Sequence, residues 1–277
     1  MSILPDFIIV GAQKAGTTWL AARLREHPDI FMRKGEVHFF NVDENFEKGL
    51  GWYSDQFEGG TAYLLRGEKT PDYLWTNRPH QPASTIPQRI HGVIPNAKII
   101  IVLRDPVTRA LSALNHQIVA RRLSPFVNPD EILLGRKSEV GQRFGLIERG
   151  YYADQIREYQ KYFDNILTLV FEEDIVKEPI RTLSKIAGFL DLERDFDNPA
   201  NSKRENSGMH SKAGQVLNYY LPFAEPLVSG LDRLLPKSRP VSPSKQTMHH
   251  LYHHFAGHNR DLESLLGRTL DTWQVTP

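Results

Sequence analysis

The chain of 277 residues contains no cysteine. Disulfide staples and thiolate metal sites are thereby excluded, and nothing in the composition demands an oxidising compartment. It also lacks a dominant sign of charge: 34 Lys and Arg stand against 33 Asp and Glu, a formal net charge of +1. No global field draws the chain onto nucleic acid or an anionic membrane, so any basic character must be local. Long apolar runs are missing too. The longest, Phe7–Val10 and Ile99–Leu103, are strand-sized and far short of a bilayer span. The opening MSILPDFIIVG has neither a basic leader nor an extended apolar core, which speaks against a secretory signal. No repeat or low-complexity tract is present. These absences predict a soluble, cytoplasmic protein with no membrane span and no nucleic-acid partner. Hydrophobic residues at 40% and charged residues at 24% complete an ordinary globular composition. The length allows one large α/β domain or two small ones.

What is present alternates. Strand-like runs at Phe7–Val10, Asp29–Met32, Ala62–Leu65, Lys98–Leu103 and Leu167–Phe171 are separated by helical patterns. The helices are predicted at Thr17–Glu26, Asn45–Phe57 (interrupted at Gly49 and Gly51), Pro82–Ile94, Pro106 to about Arg122, Tyr151–Phe163, Ile180–Leu190 and Lys245–Leu266. The β-branched run KIIIVL suits a parallel strand covered on both faces. The alternation predicts an α/β fold, a single domain over residues 1–277 with a central parallel sheet flanked by helices. Ligands in such sheets bind beyond the carboxyl ends of the strands. Lys14, Glu36, Lys69 and Arg104 each follow a predicted strand and are expected to meet along one edge. Gly67–Tyr73 and Asp195–Gly214 read as loops, and Ser124–Gly145 as a polar surface excursion.

The stretch from Phe7 to Asn41 organises the rest. A short apolar strand leads into GAQKAGTT, where Gly11 and Gly16 bracket a turn and Thr17, Thr18 and Trp19 begin a helix. Strand, Gly-containing loop and helix start, in that order, form an anion site, because the first amides of a helix have no intrahelical acceptor and its dipole favours negative charge. The spacing approaches the nucleotide P-loop G-x-x-x-x-G-K-[ST], but Thr17 stands at the lysine position and the lysine sits inside the loop at Lys14. A kinase or ATPase would lose its contact to the terminal phosphates. Lys14, Ala15, Gly16, Thr17, Thr18 and Trp19 are the first candidate phosphate-binding residues. A plain strand–helix turn with a solvated lysine is the alternative.

Other candidates follow in chain order. Glu36 and His38 would share a side of an extended segment and offer a general base for an acceptor hydroxyl or amine; a satisfied surface glutamate and a packed histidine are the other reading. Lys69 is either a substrate-facing cation or a solvated lysine. Arg104, at a strand end, and Ser112, two turns into the next helix, offer a planar fork and a hydroxyl suited to phosphate. The other reading of Arg104 is an ion-pair partner of Asp105 or a nearby acid, and Arg109 reads as a structural ion-pair residue. Ser211 and Lys212 lie in the Asp195–Gly214 loop. His249, His250, His253, His254 and His258 crowd the last helix at spacings that include i,i+4, but without a carboxylate in metalloprotease spacing they read as helix surface or packing, and no metal site is assigned.

Taken together, these blocks resemble the PAPS-dependent sulfotransferase family, and within it most closely the heparan sulfate 3-O- and N-sulfotransferases. The resemblance is carried by GAQKAGTT, GEVHFF, GLGWY, EKTPDY, LRDPVTRALS, HSKAG and LLGRTLDTW, in one order from near residue 7 to near residue 273. It implies a P-loop-type nucleotide-binding fold, 3′-phosphoadenosine 5′-phosphosulfate (PAPS) as co-substrate and adenosine 3′,5′-bisphosphate (PAP) as product. It further implies Glu36 as base with His38 in support, Lys69 in the substrate cleft, Lys14 and Gly16–Thr18 on the 5′-phosphate, Arg104 and Ser112 on the 3′-phosphate, and Ser211 and Lys212 closing over the nucleotide. The group often carries aspartate directly after H-F-F, where this chain has Asn41. Without an anchor, cysteines or a basic balance, the chain reads as a soluble bacterial member acting on a small metabolite, lipid, carrier-bound chain or glycosyl unit. A P-loop kinase or NTPase using ATP–Mg is the runner-up, supported mainly by Asp105 after an apolar strand.

Overall fold

The computed structural model describes residues 2–76, 78–79, 81–82, 85–134, 138–196 and 240–273. Two compact units are distinguished. The first comprises Met1–Asp105, Tyr151–Lys203 and His258–Trp273; the second Pro106–Gly150, Arg204–Gly257 and Gln274–Pro277.

The first unit holds a parallel sheet of β1 (Phe7–Gly11), β2 (Ile30–Met32), β3 (Leu65–Lys69), β4 (Lys98–Leu103) and β5 (Ile166–Val170), in the order β2-β3-β1-β4-β5. Every neighbouring pair runs parallel. All of β1 and nearly all of β4 are buried, as apolar strands covered on both faces must be. From β1 the chain passes to β2 and β3 on one side and then crosses to β4 and β5 on the other, so the topology switches beside β1, the position where open α/β sheets bind ligands. Flanking helices are α1 (Thr17–Arg25), α4 (Thr85–Val93), α8 (Tyr152–Gln160) and α9 (Pro179–Phe189), with two short ones, α2 (Asp43–Phe46) and α3 (Gly49–Asp55). In α1, Thr17, Leu20, Ala21 and Leu24 form the buried stripe, and the helix stops ahead of Pro28. Arg268 grips Asp174 at 2.8 and 3.0 Å and ties the segment after the last helix to the turn that follows β5. Those bonds, with one from the Val170 amide, outweigh burial and hold the Asp174 carboxyl below its usual range.

In the second unit, α5 (Pro106–Val119), α6 (Pro129–Leu133) and α7 (Ser138–Arg143) are joined by the N-terminal part of α10 (Lys245–Leu266). Val107, Ala110, Leu114, Leu146, Leu251 and Phe255 are buried. Asn115 closes two hydrogen bonds on the Val241 backbone, at 2.8 and 3.0 Å.

Three expectations are corrected. The third strand lies at Leu65–Lys69 rather than Ala62–Leu65, so the first half of the expected Gly67–Tyr73 loop is strand. Its signal was hidden because Gly67 and Glu68 are poor strand formers; Gly67 is required by the Phe7 ring, which would stand 2.2 Å from a Cβ there. The helix predicted at Asn45–Phe57 is two helices divided at Glu47 and Lys48, with Gly51 inside the second. Ser124–Gly145 is no mere excursion: it contains α6 and α7, and Ile132 and Leu133 are buried.

Candidate active site

The loop after β1 turns through left-handed Lys14 (φ 68°) into Gly16 (φ 90°), the N-cap of α1. A Cβ on Gly16 would fall 2.5 Å from the Phe171 ring, so glycine is required for both conformation and space. No side chain caps α1, and its first turn carries no acid. The opening amides of the helix therefore face a region that no carboxylate of the same turn has claimed. Lys14 is partly buried. Burial first, then the Arg104 guanidinium, lowers its pKa below the ordinary lysine value.

Arg104 follows β4 and donates to the Lys14 carbonyl at 3.1 Å. Its guanidinium stands over the Phe171 ring at 5.3 Å and its Nε lies 3.7 Å from Glu172. The acid beside Arg104 is thus Glu172, which also accepts from the indole of Trp273 at 3.0 Å. Glu172 was not flagged in the sequence; it belongs to an acidic run after β5 that resembles ordinary solvated charge.

Across the same edge, Glu36 lies between two cationic groups. Lys69, at the end of β3, donates to Glu36 Oε1 at 2.8 Å, and His38 Nε2 lies 3.3 Å from Oε2. The other ring nitrogen of His38 is 3.3 Å from Asn41 Oδ1 and 4.0 Å from Asp72. Both imidazole nitrogens face acceptors, which favours the imidazolium. The hydrogen bond to Glu36 raises the His38 pKa above its ordinary value against the opposing effect of burial, with Asp72 assisting. Burial alone would raise Glu36, but the bonds from His38 and Lys69 outweigh it and hold the carboxyl below the usual range. Glu36 and His38 meet through a left-handed turn at His38 (φ 55°), not through the alternation of an extended segment.

The structure therefore brings Lys14, Glu36, His38, Lys69 and Arg104 onto one sheet edge of the first unit. Ala15, Gly16, Thr17, Thr18 and Trp19 form the adjoining loop and first turn, with Ala15 and Thr17 buried. Ser112 is a half-buried residue of α5 in the second unit. Ser211 and Lys212 lie outside the described residues. Arg109 is fully buried and donates to the Leu146 carbonyl. Of the α10 histidines, His258 stacks on Tyr151 with ring centroids 4.3 Å apart, and His254 meets Phe255 edge-on. Beneath the cluster lies a group the sequence reading passed over. Glu68, next to the flagged Lys69, is completely buried and accepts from Tyr53, Thr70 and Tyr73. A glutamate amid hydroxyl residues in EKTPDY was the available signal.

The model of the sulfotransferase domain family matches residues 4–222. The chain is 26% identical over 274 residues to heparan sulfate glucosamine 3-O-sulfotransferase 5 of Mus musculus, covering 97% of this chain and 74% of that protein. It is 33% identical over 195 residues to heparan sulfate glucosamine 3-O-sulfotransferase 3B1 of Mus musculus, covering 69% of this chain and 47% of the relative, so it spans about half the length of that protein. A solved sulfotransferase from Alicyclobacillus acidocaldarius superposes with a TM-score of 0.71 at 24% identity, over 97% of this chain and 98% of the other, which shows a shared fold.

Proposed function

The chain belongs to the sulfotransferase family, whose reaction is sulfuryl transfer, and from that premise we propose that it moves a sulfuryl group from PAPS to an acceptor hydroxyl, in preference to an amine. The observation that carries this reading is the pairing of Glu36 with Lys69 and His38, on the same edge as the adjacent cations Lys14 and Arg104. A kinase reading is not favoured: Thr17 stands where a P-loop carries its phosphate-binding lysine.

The residues fit such a donor. Gly16 leaves the backbone bare, the first turn of α1 is free of acids, and Lys14 and Arg104 hold positive charge beside it. When bound, PAPS supplies an activated sulfuryl group on a phosphosulfate. The amides of Gly16–Thr18 with Lys14 would hold the 5′-phosphate, beside Ala15 and Trp19, and Arg104 the 3′-phosphate. Ser112, Ser211 and Lys212 keep the nucleotide-binding roles their sequence blocks imply.

The chain's own groups then divide the work. Lys14 faces the charge that grows on the leaving oxygen; a positioned cation of this kind is worth a few kcal/mol of barrier, on the order of 10²–10³ in rate. Glu36 is ionised at neutral pH and accepts the acceptor's proton. The contacts that keep it ionised also lower its proton affinity, so transfer occurs as the acceptor oxygen gives up electrons to sulfur and its proton becomes acidic. His38 holds the second oxygen of Glu36, and Lys69 orients the first.

The acceptor belongs to the same proposal. Near-neutral net charge offers no field for a polyanionic glycan, and Asn41 replaces the aspartate common after H-F-F. A small metabolite, lipid, carrier-bound chain or glycosyl unit suits the chain better. Among the described residues no helix is long and apolar enough to cross a membrane; the cytoplasmic setting and the single domain over 1–277 are likewise parts of this reading. The test is PAP release from PAPS across a panel of such hydroxyl acceptors. Glu36→Gln should lower kcat by about 10² or more, with PAP affinity within threefold of wild type. An unchanged kcat removes Glu36 from the base role, and absence of PAP release with any acceptor removes the donor.

A further inference from the structure

Glu68 is buried on every side, yet no step above uses it. A buried glutamate is costly unless its oxygens are fully engaged. Here three hydroxyls are turned toward them: Tyr53 at 2.5 Å on Oε2, Thr70 at 2.7 Å and Tyr73 at 2.8 Å on Oε1. The direction of these bonds matters. Burial raises the Glu68 pKa above the ordinary glutamate value, against the three hydrogen bonds it accepts; each of those hydroxyls donates its proton inward and so presents a lone pair outward. Two of those lone pairs are taken by backbone amides of the segment that carries the site. Val37 N–H donates to Thr70 Oγ1 at 3.1 Å. Phe39 N–H donates to the Tyr73 hydroxyl at 2.9 Å, with the Phe40 amide at 3.4 Å from the same oxygen. The residues between and beside these anchored amides are Glu36 and His38.

The segment needs such anchors. It is neither helix nor strand, and His38 sits in a left-handed conformation that a non-glycine residue adopts only when its surroundings impose it. The same carboxylate also reaches α3 through Tyr53, whose ring stacks on Phe39 at 4.4 Å and 11°. Lys69, the next residue on β3, points to the opposite side and meets Glu36 directly, as strand alternation requires.

We propose that Glu68 is a positioning residue for the transfer reaction: through the hydroxyls of Thr70 and Tyr73 it fixes the Val37–Phe40 backbone, and so sets where Glu36 and His38 stand. This rests on the sulfotransferase reading for its consequence in turnover, but its structural half is independent of that reading. The carboxylate makes the two relays directional. Glutamine at 68 keeps one oxygen for Thr70 and Tyr73 and turns its amide to Tyr53, so it should preserve both relays. Leucine, of similar size, offers no acceptor and should lose them.

The test compares Glu68→Leu, Glu68→Gln, Tyr73→Phe and Thr70→Val by three measurements. One is the titration of the His38 ring by NMR, assigned by its absence in His38→Gln. The second is PAP affinity, and the third is kcat with the best acceptor. The groups facing His38 are Glu36, Asp72 and Asn41. Tyr73→Phe is expected to move the His38 titration toward that of an unpaired histidine and to lower kcat at least tenfold, with PAP affinity within threefold. Glu68→Gln is expected to stay within about threefold of wild type in kcat and to leave the titration unmoved. Glu68→Leu should behave like Tyr73→Phe; if it does not fold, the hydroxyl variants decide. The proposal is overturned if Tyr73→Phe and Thr70→Val both fold with the His38 titration and kcat unchanged. A moved titration in a protein that neither binds PAP nor releases it from PAPS would keep the positioning role and sink the sulfotransferase site instead.

Discussion

At the scale of single residues, the site is a chain of mutual charge adjustments. Lys69 and His38 lower the pKa of Glu36, Glu36 raises that of His38, and Arg104 with burial lowers that of Lys14. These shifts also govern stability. A histidine whose folded pKa lies above its ordinary value near 6.5 contributes stability that is fully present below that value and lost as pH rises through the folded pKa. Glu36, held below its ordinary 4.5, contributes stability above that value and loses it as pH falls through its folded pKa. Both contributions coexist in the mildly acidic range. His38→Gln should therefore lower Tm relative to wild type more at pH 5.5 than at pH 8.5, with Glu36 and Asp72 supplying the negative charge that protonated His38 meets. Thermal melts of the two proteins at both pH values measure this. An equal gap at the two would mean that His38 does not fold as a charged partner of Glu36.

Among the elements, the β1–α1 junction is the most constrained. Gly16 combines φ 90° with a ring at 2.5 Å from the position of any Cβ. A left-handed non-glycine residue costs roughly 1–2 kcal/mol and forcing a methyl against Phe171 about 1–3 more. Gly16→Ala should thus destabilise by roughly 2–5 kcal/mol in denaturant unfolding and weaken PAP binding. Gly51→Ala in α3, where a Cβ meets nothing within 4 Å, should be neutral or slightly stabilising. A Gly16 variant as stable as the Gly51 variant would contradict the constraint. This junction was legible in the sequence, because a short apolar strand, two glycines and a helix start make a local pattern. The edge of charged residues was legible for a related reason: in a parallel sheet, whatever follows each strand arrives at the same end. β3 was not legible. Its glycine answers to Phe7 and its buried glutamate to Tyr53, Thr70 and Tyr73, and local hydrophobicity reads both as loop. Glu172 was hidden for the same cause, since its partners Arg104 and Trp273 are far away in the chain.

For the whole molecule, the question is whether the two compact units act as one domain. The family match over 4–222 runs through segments of both, and a single functional domain is part of the proposal above. Such a domain should unfold in one calorimetric transition whose calorimetric and van't Hoff enthalpies agree. A ligand that binds only the folded chain adds about 2.7 kcal/mol when present at 100 times its dissociation constant. With an unfolding entropy of roughly 2.1 cal/mol/K per residue, a chain of 277 residues should then gain about 5 °C in Tm. PAP should produce this shift in the entire transition, because Lys14 and Arg104 hold their charge beside an acid-free helix start in the folded state alone. ATP with magnesium at the same concentration should not, since the lysine that would meet its terminal phosphates is replaced by Thr17. Two resolved transitions, only one moving with PAP, would divide the domain. A shift with ATP–Mg and none with PAP would return the site to the nucleoside triphosphate class.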